Sequence, residues 1–251
     1  MSKNTNQFRD TLDGILNRID SEQADNLLAA AEEMARAIRE DRLIYLFGGG
    51  GHTCLVMQEL FWRAGGLANL CPMIDFSIHP VTPAYMYLGH ERMHGIGDHI
   101  ARYYGVGQDD VVLCFHSYGF NPPTIDLALE SKAKGATVIG ISSSEWQATI
   151  PRDFHIRHRS GKNLFEIADI CIDNYVPFGD TVVSIDGFDK PVSGISSTVD
   201  FYIAHRLESE SIRLSVEEGF EPPVWSSANI EDGDKMNEKL REKYNSRVKF
   251  L

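Results

Sequence analysis

Apolar residues recur along this chain in two ways, as short unbroken runs and as stripes returning every three or four positions. The runs are Leu43–Phe47, Leu67–Ile74, Val111–Phe115, Thr137–Ser142 and Ile170–Ile172. Runs without polar alternation predict strands buried on both faces, as in a parallel sheet. The stripes predict helices. One covers residues 5–20 through Phe8, Leu12, Leu16 and Ile19. A second, which Ser21 can cap, runs to about residue 40 through Leu27, Leu28, Ala31, Met34, Ala35 and Ile38. Within His52–Arg63 the face is Leu55, Val56, Leu60 and Phe61. Pro122 and Pro123 open a further helix whose last turn holds Lys132 and Lys134 and which Gly135 closes. Asp98–Tyr104 predicts a short helix, Ile195–Glu218 a long one and Asp234–Tyr244 a charged one; residues 182–192 predict a hairpin around Gly187. Residues 75–97 and 145–164 follow no period and are expected as loops.

Strands that alternate with helices predict an α/β fold, a three-layer αβα sandwich around a five-stranded parallel sheet. The expected organisation is N-terminal helices over 1–40, an α/β domain over 41–218 and a C-terminal extension over 219–251. In such sheets ligands sit beyond the carboxyl ends of the strands. The loops there begin at Gly48, His116 and Ser142, so the chemistry is expected where those three meet.

Composition narrows the partners. Of 251 residues, 43% are hydrophobic, enough for a sizeable core, and the formal charge is −12. That charge argues against nucleic acid and anionic membranes. It permits an anionic small ligand, because one loop can supply a local positive field. The four cysteines, Cys54, Cys71, Cys114 and Cys171, show no C-x-x-C spacing and read as reduced, mostly buried thiols of a cytoplasmic protein. The N-terminus MSKNTNQFRD has no apolar signal core, and no run approaches the length of a membrane helix.

The first loop is the strongest site signal. Leu43–Phe47, then Gly48, Gly49, Gly50 and Gly51, then a helix, form the unit that aims backbone N–H groups at an anion. Four glycines cost more backbone entropy than a turn requires. As a dinucleotide fingerprint the loop is weak: Gly49-x-Gly51 is present, Cys54 occupies the third glycine's place, and Asp75 stands late for a ribose acid. No cofactor is expected. His90, Glu91 and His94 spell H-E-x-x-H, but Gly89, Gly95 and Gly97 flank it, so a sustained helix is doubtful. Glu59 reads equally as a base at the edge of a buried face or as the partner of Arg63, four residues on. Ser142, Ser143 and Ser144 can offer hydroxyls to an anion or cap the next segment.

Taken in order, GGGGHT, FWRAGG, the pair His90–Glu91, GFNPPTIDLALESKAKGATVIGISS, HRSGKNLFEIADICIDN with VPFGD, and EPPVWSSANIEDGD resemble a bacterial family of SIS (sugar isomerase) domain proteins of mostly unassigned activity. The resemblance covers almost the whole chain. It implies a SIS-type, flavodoxin-like fold, carbohydrate binding, often of a sugar phosphate with aldose–ketose isomerisation, and homodimers or homotetramers with active sites near subunit interfaces. It also exposes departures. The family's phosphate loop after the third strand resembles S-x-S-G-x-N; here His116 and Tyr118 replace the two serines, while Gly119 and Asn121 remain. Gly50 stands where a serine is common, Thr53 keeps a hydroxyl, and His205 sits where Asn is expected.

The reading that follows is an isomerase, or related lyase, of carbohydrate metabolism acting on an anionic sugar by proton abstraction next to a carbonyl. Glu59 or Glu91 is the candidate base, and His52 or His90 the candidate ring-opener or proton shuttle. Gly49, Gly50, Gly51, Thr53, His116, Ser117, Tyr118, Gly119, Asn121, Ser142, Ser143 and His205 are the candidate substrate contacts. One alternative is a sugar-binding module without catalysis. Another is a metal-dependent enzyme using His90, His94 or His205.

Overall fold

The computed structural model describes residues 6–251. The predicted start of the first helix, at residue 5, falls outside the described residues. Two helices, α1 (Gln7–Glu22) and α2 (Ala24–Arg39), lead into β1 (Ile44–Gly48), then α3 (Cys54–Leu60) and β2 (Leu70–Pro72). Next come α4 (Ala84–His90), α5 (Ile96–Tyr104), β3 (Val111–Phe115), α6 (Pro122–Ala133), β4 (Thr137–Ser142), α7 (Ser144–Thr149) and β5 (Ile170–Asp173). A hairpin of β6 (Thr181–Val183) and β7 (Val192–Gly194) precedes α8 (Ser196–Glu217), and α9 (Gly233–Tyr244) closes the chain.

Five parallel strands form the main sheet in the order β2-β1-β3-β4-β5. Their side chains alternate between two cores. Ile44, Leu46, Val111, Leu113 and Phe115 face a cluster built with α1, α2, α3 and α8. Tyr45, Phe47, Val112, Cys114 and Val138 face a second cluster built with α5, α6 and the end of the chain. Strands β1 and β3 are apolar throughout because both of their faces need a partner. Burying one such side chain stabilises the fold by roughly 1.5–3 kcal/mol.

The predicted αβα sandwich is present, with three local corrections. Strand β2 is shorter than Leu67–Ile74; Leu67 instead pairs with Val224 of the C-terminal segment. Helix α3 stops at Leu60, since Phe61 is extended and Trp62 is left-handed (φ 54°), which lays its ring on Trp225 at 4.5 Å. Both stretches expected as loops contain helices, α4 and α7. Among the described residues no helix is long and apolar enough to cross a membrane.

The register sets the site. Gly48 stands beside Phe115, and Phe115 beside Ile141, so β1, β3 and β4 end at one level. The loops that follow them therefore share one edge of the sheet.

Candidate active site

At that edge lies a cleft of about 350 Å³. Its floor is Gly50, Gly51, His52 and Thr53 from the first loop and His116, Ser117, Tyr118 and Asn121 from the loop after β3. Helix α4 and its C-cap form one wall through Tyr87, Leu88, Glu91 and Arg92; Trp146, Ile156, Asp180 and Ser196 form the other.

The four glycines receive a physical account here that differs from an anion cradle. A Cβ on Gly48 would strike the Thr53 carbonyl, and one on Gly49 would strike the Thr124 hydroxyl and the Phe47 ring. A Cβ on Gly50 would lie 3.1 Å from His116 Nε2, and one on Gly51 would run into the Tyr87 phenol. Glycine suits these positions because the protein's own side chains approach Gly49, Gly50 and Gly51 and its own backbone approaches Gly48.

Two of its amides are occupied as well. The Gly50 N–H donates to Thr53 Oγ1 at 3.0 Å and the Gly51 N–H to the Tyr87 hydroxyl at 2.7 Å. In the second loop the amides of Tyr118 and Gly119 donate to His116 Nδ1 at 3.2 and 2.9 Å. An imidazole nitrogen that accepts two N–H groups carries no proton, so in neutral His116 the proton is on Nε2. That N–H points at Glu91 Oε1, 3.5 Å away. The other carboxylate oxygen, Oε2, accepts the Tyr87 O–H at 2.6 Å. Tyr87 and Glu91 lie one helical turn apart, which brings phenol and carboxylate to one side of α4. Burial, and next the Glu91 charge, push the Tyr87 phenol above its usual range, so it stays a donor. Tyr118 is raised for the same reasons. Its ring lies 4.2 Å from that of Trp146.

The cleft thus gathers His52, Thr53, Gly50, Gly51, Glu91, His116, Ser117, Tyr118 and Asn121 from the candidates. The others lie elsewhere. His90 turns its Nδ1 to the Ser77 carbonyl at 2.8 Å. Ser142 and Ser143 are fully buried, the first within 3.3 Å of the Ser117 carbonyl, the second donating to the Val176 carbonyl at 2.7 Å and capping α7. Of the two, Ser143 takes the capping role. Gly49 and Gly119 serve the loops' packing; Gly119 is left-handed (φ 65°). Glu59 pairs with Arg63 at 3.0 Å and with His205 Nε2 at 3.1 Å, outside the cleft wall. Beside them Glu208 accepts the Leu67 N–H at 2.9 Å, and burial raises its carboxyl.

The H-E-x-x-H string does not form one helical face. Helix α4 ends at His90, Glu91 caps it, and His94 precedes left-handed Gly95. His90, His94 and His205 have different partners: Ser77, His158 and Glu59. Tyr87, Trp146 and Asp180 were not among the sequence candidates. The spacing of Tyr87 and Glu91 was a usable signal; the other two arrive through long-range topology.

A SIS domain matches residues 7–143. A UPF0309 protein of Geobacillus sp. (strain WCH70) is 36% identical over 91% of this chain and 91% of its own. One of Geobacillus kaustophilus is 32% identical over 98% and 96%. Among solved structures, a phosphoheptose isomerase from Francisella tularensis superposes with a TM-score of 0.56 at 14% identity, covering 85% of this chain and 100% of that one. The phosphoheptose isomerase GmhA from Neisseria gonorrhoeae gives 0.53 at 12% identity, over 81% and 94%. At those identities the likeness is one of fold. With its sheet, its helical layers and its full-length relatives in agreement, the chain belongs to the SIS-domain proteins, and among them to the UPF0309 family.

Proposed function

We propose that this protein is a sugar isomerase-type enzyme that abstracts a proton next to a carbonyl, with Glu91 as the base. The observation that carries this reading is the Glu91 carboxylate, held by Tyr87 at 2.6 Å and faced by the His116 Nε2–H at 3.5 Å inside a cleft. Proton abstraction next to a carbonyl needs a base within reach of the C–H and an electrophile for the developing oxyanion. Glu91 supplies the first role. The Nε2–H of His116, its tautomer set by two backbone amides, supplies the second. Exposed His52 stands at the mouth, where ring opening needs a proton carrier. Two rings of the cleft, Tyr118 in the floor and Trp146 in the wall, offer apolar faces to a sugar's C–H surface.

The bound end of the sugar is not a phosphate dianion in this reading. Four amides that would hold one are engaged with protein groups. Glu91 and Asp180 add negative charge to the wall, against one cation, Arg92. A hydroxylated terminus or a singly charged group fits better. We place the protein in the cytoplasm: its four thiols are free, and burial pushes Cys54 and Cys114 up to about 12. The homodimer or homotetramer implied by the SIS resemblance is part of the same proposal and is read by light scattering.

The test is exchange of the carbon-2 hydrogen with solvent deuterium across a sugar panel. Glu91→Gln is expected to lower exchange by about 100-fold or more while binding persists. Binding without exchange in the wild type would identify a sugar-binding module. Loss of exchange in Glu59→Gln with Glu91→Gln unaffected would move the chemistry to the Glu59–His205 pair.

A further inference from the structure

A second group of side chains lies behind the α4–α5 connection. His94 comes from that connection, Asp126 from α6, and His158 from the segment before β5. One ligand atom of each lies within 4.8 Å of the others. Asp126 and His158 are buried; His94 is exposed. We propose that these three residues bind a first-row transition-metal dication of the zinc type.

The chemistry of the donors suits such an ion. Two imidazoles and one carboxylate are the ligand set of three-ligand zinc sites, and imidazole selects against magnesium and calcium. The distance between His158 Nε2 and Asp126 Oδ1 is 3.0 Å. Two ligands each about 2.0–2.1 Å from one metal stand roughly that far apart. His94 has only its exposed side chain to turn, and its ring centroid is already 4.9 Å from that of His158.

The outer partners are also in place. Metal-bound histidines pass their second N–H to an acceptor, and ligating carboxylates have their other oxygen hydrogen-bonded. In the metal-free ring His158 Nδ1 accepts the Ser160 N–H at 3.2 Å, so the proton sits on Nε2 toward Asp126; an ion on Nε2 displaces that proton, and Nδ1 can then carry one to Ser160 Oγ, 2.7 Å away. Asp126 Oδ2 accepts the Gly95 N–H at 2.6 Å. His94 lies three residues beyond Glu91, and His158 two beyond Ile156 of the cleft wall. A bound ion would therefore clamp the segment that carries Glu91 onto α6.

The test uses tag-free, EDTA-treated full-length protein titrated with Zn²⁺, with Mg²⁺ as the control and Co²⁺ as a spectroscopic probe. About one Zn²⁺ per chain is expected, with no saturable Mg²⁺ binding and a Co²⁺ visible band that Zn²⁺ displaces. His94→Ala, at an exposed position, keeps the metal-free melting temperature and weakens Zn²⁺ by at least about tenfold; His158→Ala and Asp126→Asn do so too. Zn²⁺ affinity unchanged in His94→Ala and His158→Ala, or no saturable Zn²⁺ binding in the wild type, overturns the proposal. None of these readouts depends on turnover, so they stand apart from the Glu91 reading.

Discussion

Asn121 donates its side-chain amide to the Gly49 carbonyl at 2.8 Å, and this bond ties the loop after β3 to the loop after β1. Asn121 is buried, and its amide is held between two loops that make the cleft floor. Asn121→Asp would set a carboxylate oxygen against the Gly49 carbonyl with no proton between them. The expected loss is about 2–3 kcal/mol at neutral pH, measured by urea unfolding. A protonated carboxyl can donate, so the variant should regain stability as the pH falls. A loss that is the same at low and neutral pH would show that the bond does not hold the loops.

The Tyr87 hydroxyl joins the Gly51 amide to the Glu91 carboxylate. Tyr87→Phe keeps the ring and removes both bonds. Stability should fall by roughly 1–2 kcal/mol, since an amide is left without its acceptor. Carbon-2 exchange should fall at least about tenfold, in kcat more than in KM, because the misplaced group is the proposed base and not a binding contact. Unchanged kcat in Tyr87→Phe would remove the phenol from the mechanism.

Asp200, on α8, is fully buried, and among the described residues only Asn174 partners it, its amide 2.8 Å from Oδ1. Burial pushes the carboxyl up to about 7, against ~3.9 in an unfolded chain. Between those values the folded state holds the extra proton, so this group's contribution declines as pH rises from about 4 to 7 and stays unfavourable above. Asp200→Asn should be neutral at pH ~4 and stabilising by roughly 4 kcal/mol at pH ~8. Thermal unfolding of both proteins across that range checks the sign. A variant less stable than wild type at every pH would show that the carboxylate itself is needed.

What the sequence made legible follows from physics that is local. The strands were readable because Ile44–Phe47 and Val111–Phe115 must satisfy two cores at once, which forces apolar residues at every position. Their shared level then announced the three loops. Helix α4 was hidden because none of its residues is buried, so no apolar stripe marks it. Its place is set by the cleft, through Tyr87 on Gly51 and Glu91 toward His116.

The glycine loop was legible as special, and the fold adds a reason for its glycines that the sequence did not offer. Backbone entropy argued that four glycines need a reason, and it named a ligand. The reason visible in the fold is the protein itself: His116 over Gly50, Tyr87 over Gly51 and Thr124 over Gly49. No sequence separation signals that a ring 36 or 66 residues away will take a ligand's space.

That exchange makes the last prediction specific. A phosphate dianion wants several N–H and O–H donors in a concavity. The SIS resemblance puts serines where this chain has Gly50, His116 and Tyr118. The substitutions are coupled: a Cβ at Gly50 would press on the His116 ring at 3.1 Å, so the glycine follows from the histidine. His116 then consumes the Tyr118 and Gly119 amides through Nδ1. Hexose and pentose phosphates should therefore bind the wild type weakly, at roughly millimolar levels, and no better than the unphosphorylated sugars. His116→Ser frees two amides and removes a ring, and should improve phosphate binding about tenfold, worth ~1.4 kcal/mol. Gly50→Ser alone should destabilise, because the ring cannot yield without losing its amide partners. Gly50→Ser with His116→Ser should restore stability and bind phosphate best. Calorimetric titration with matched sugar phosphates, sulfonates and free sugars reads all four proteins, with Tyr118→Ser as a fifth. If the wild type already held an ordinary sugar phosphate tightly, and His116→Ser and Tyr118→Ser left that binding unchanged, the backbone would be holding the anion despite its occupied amides, and the coupling between Gly50 and His116 would be one of packing alone.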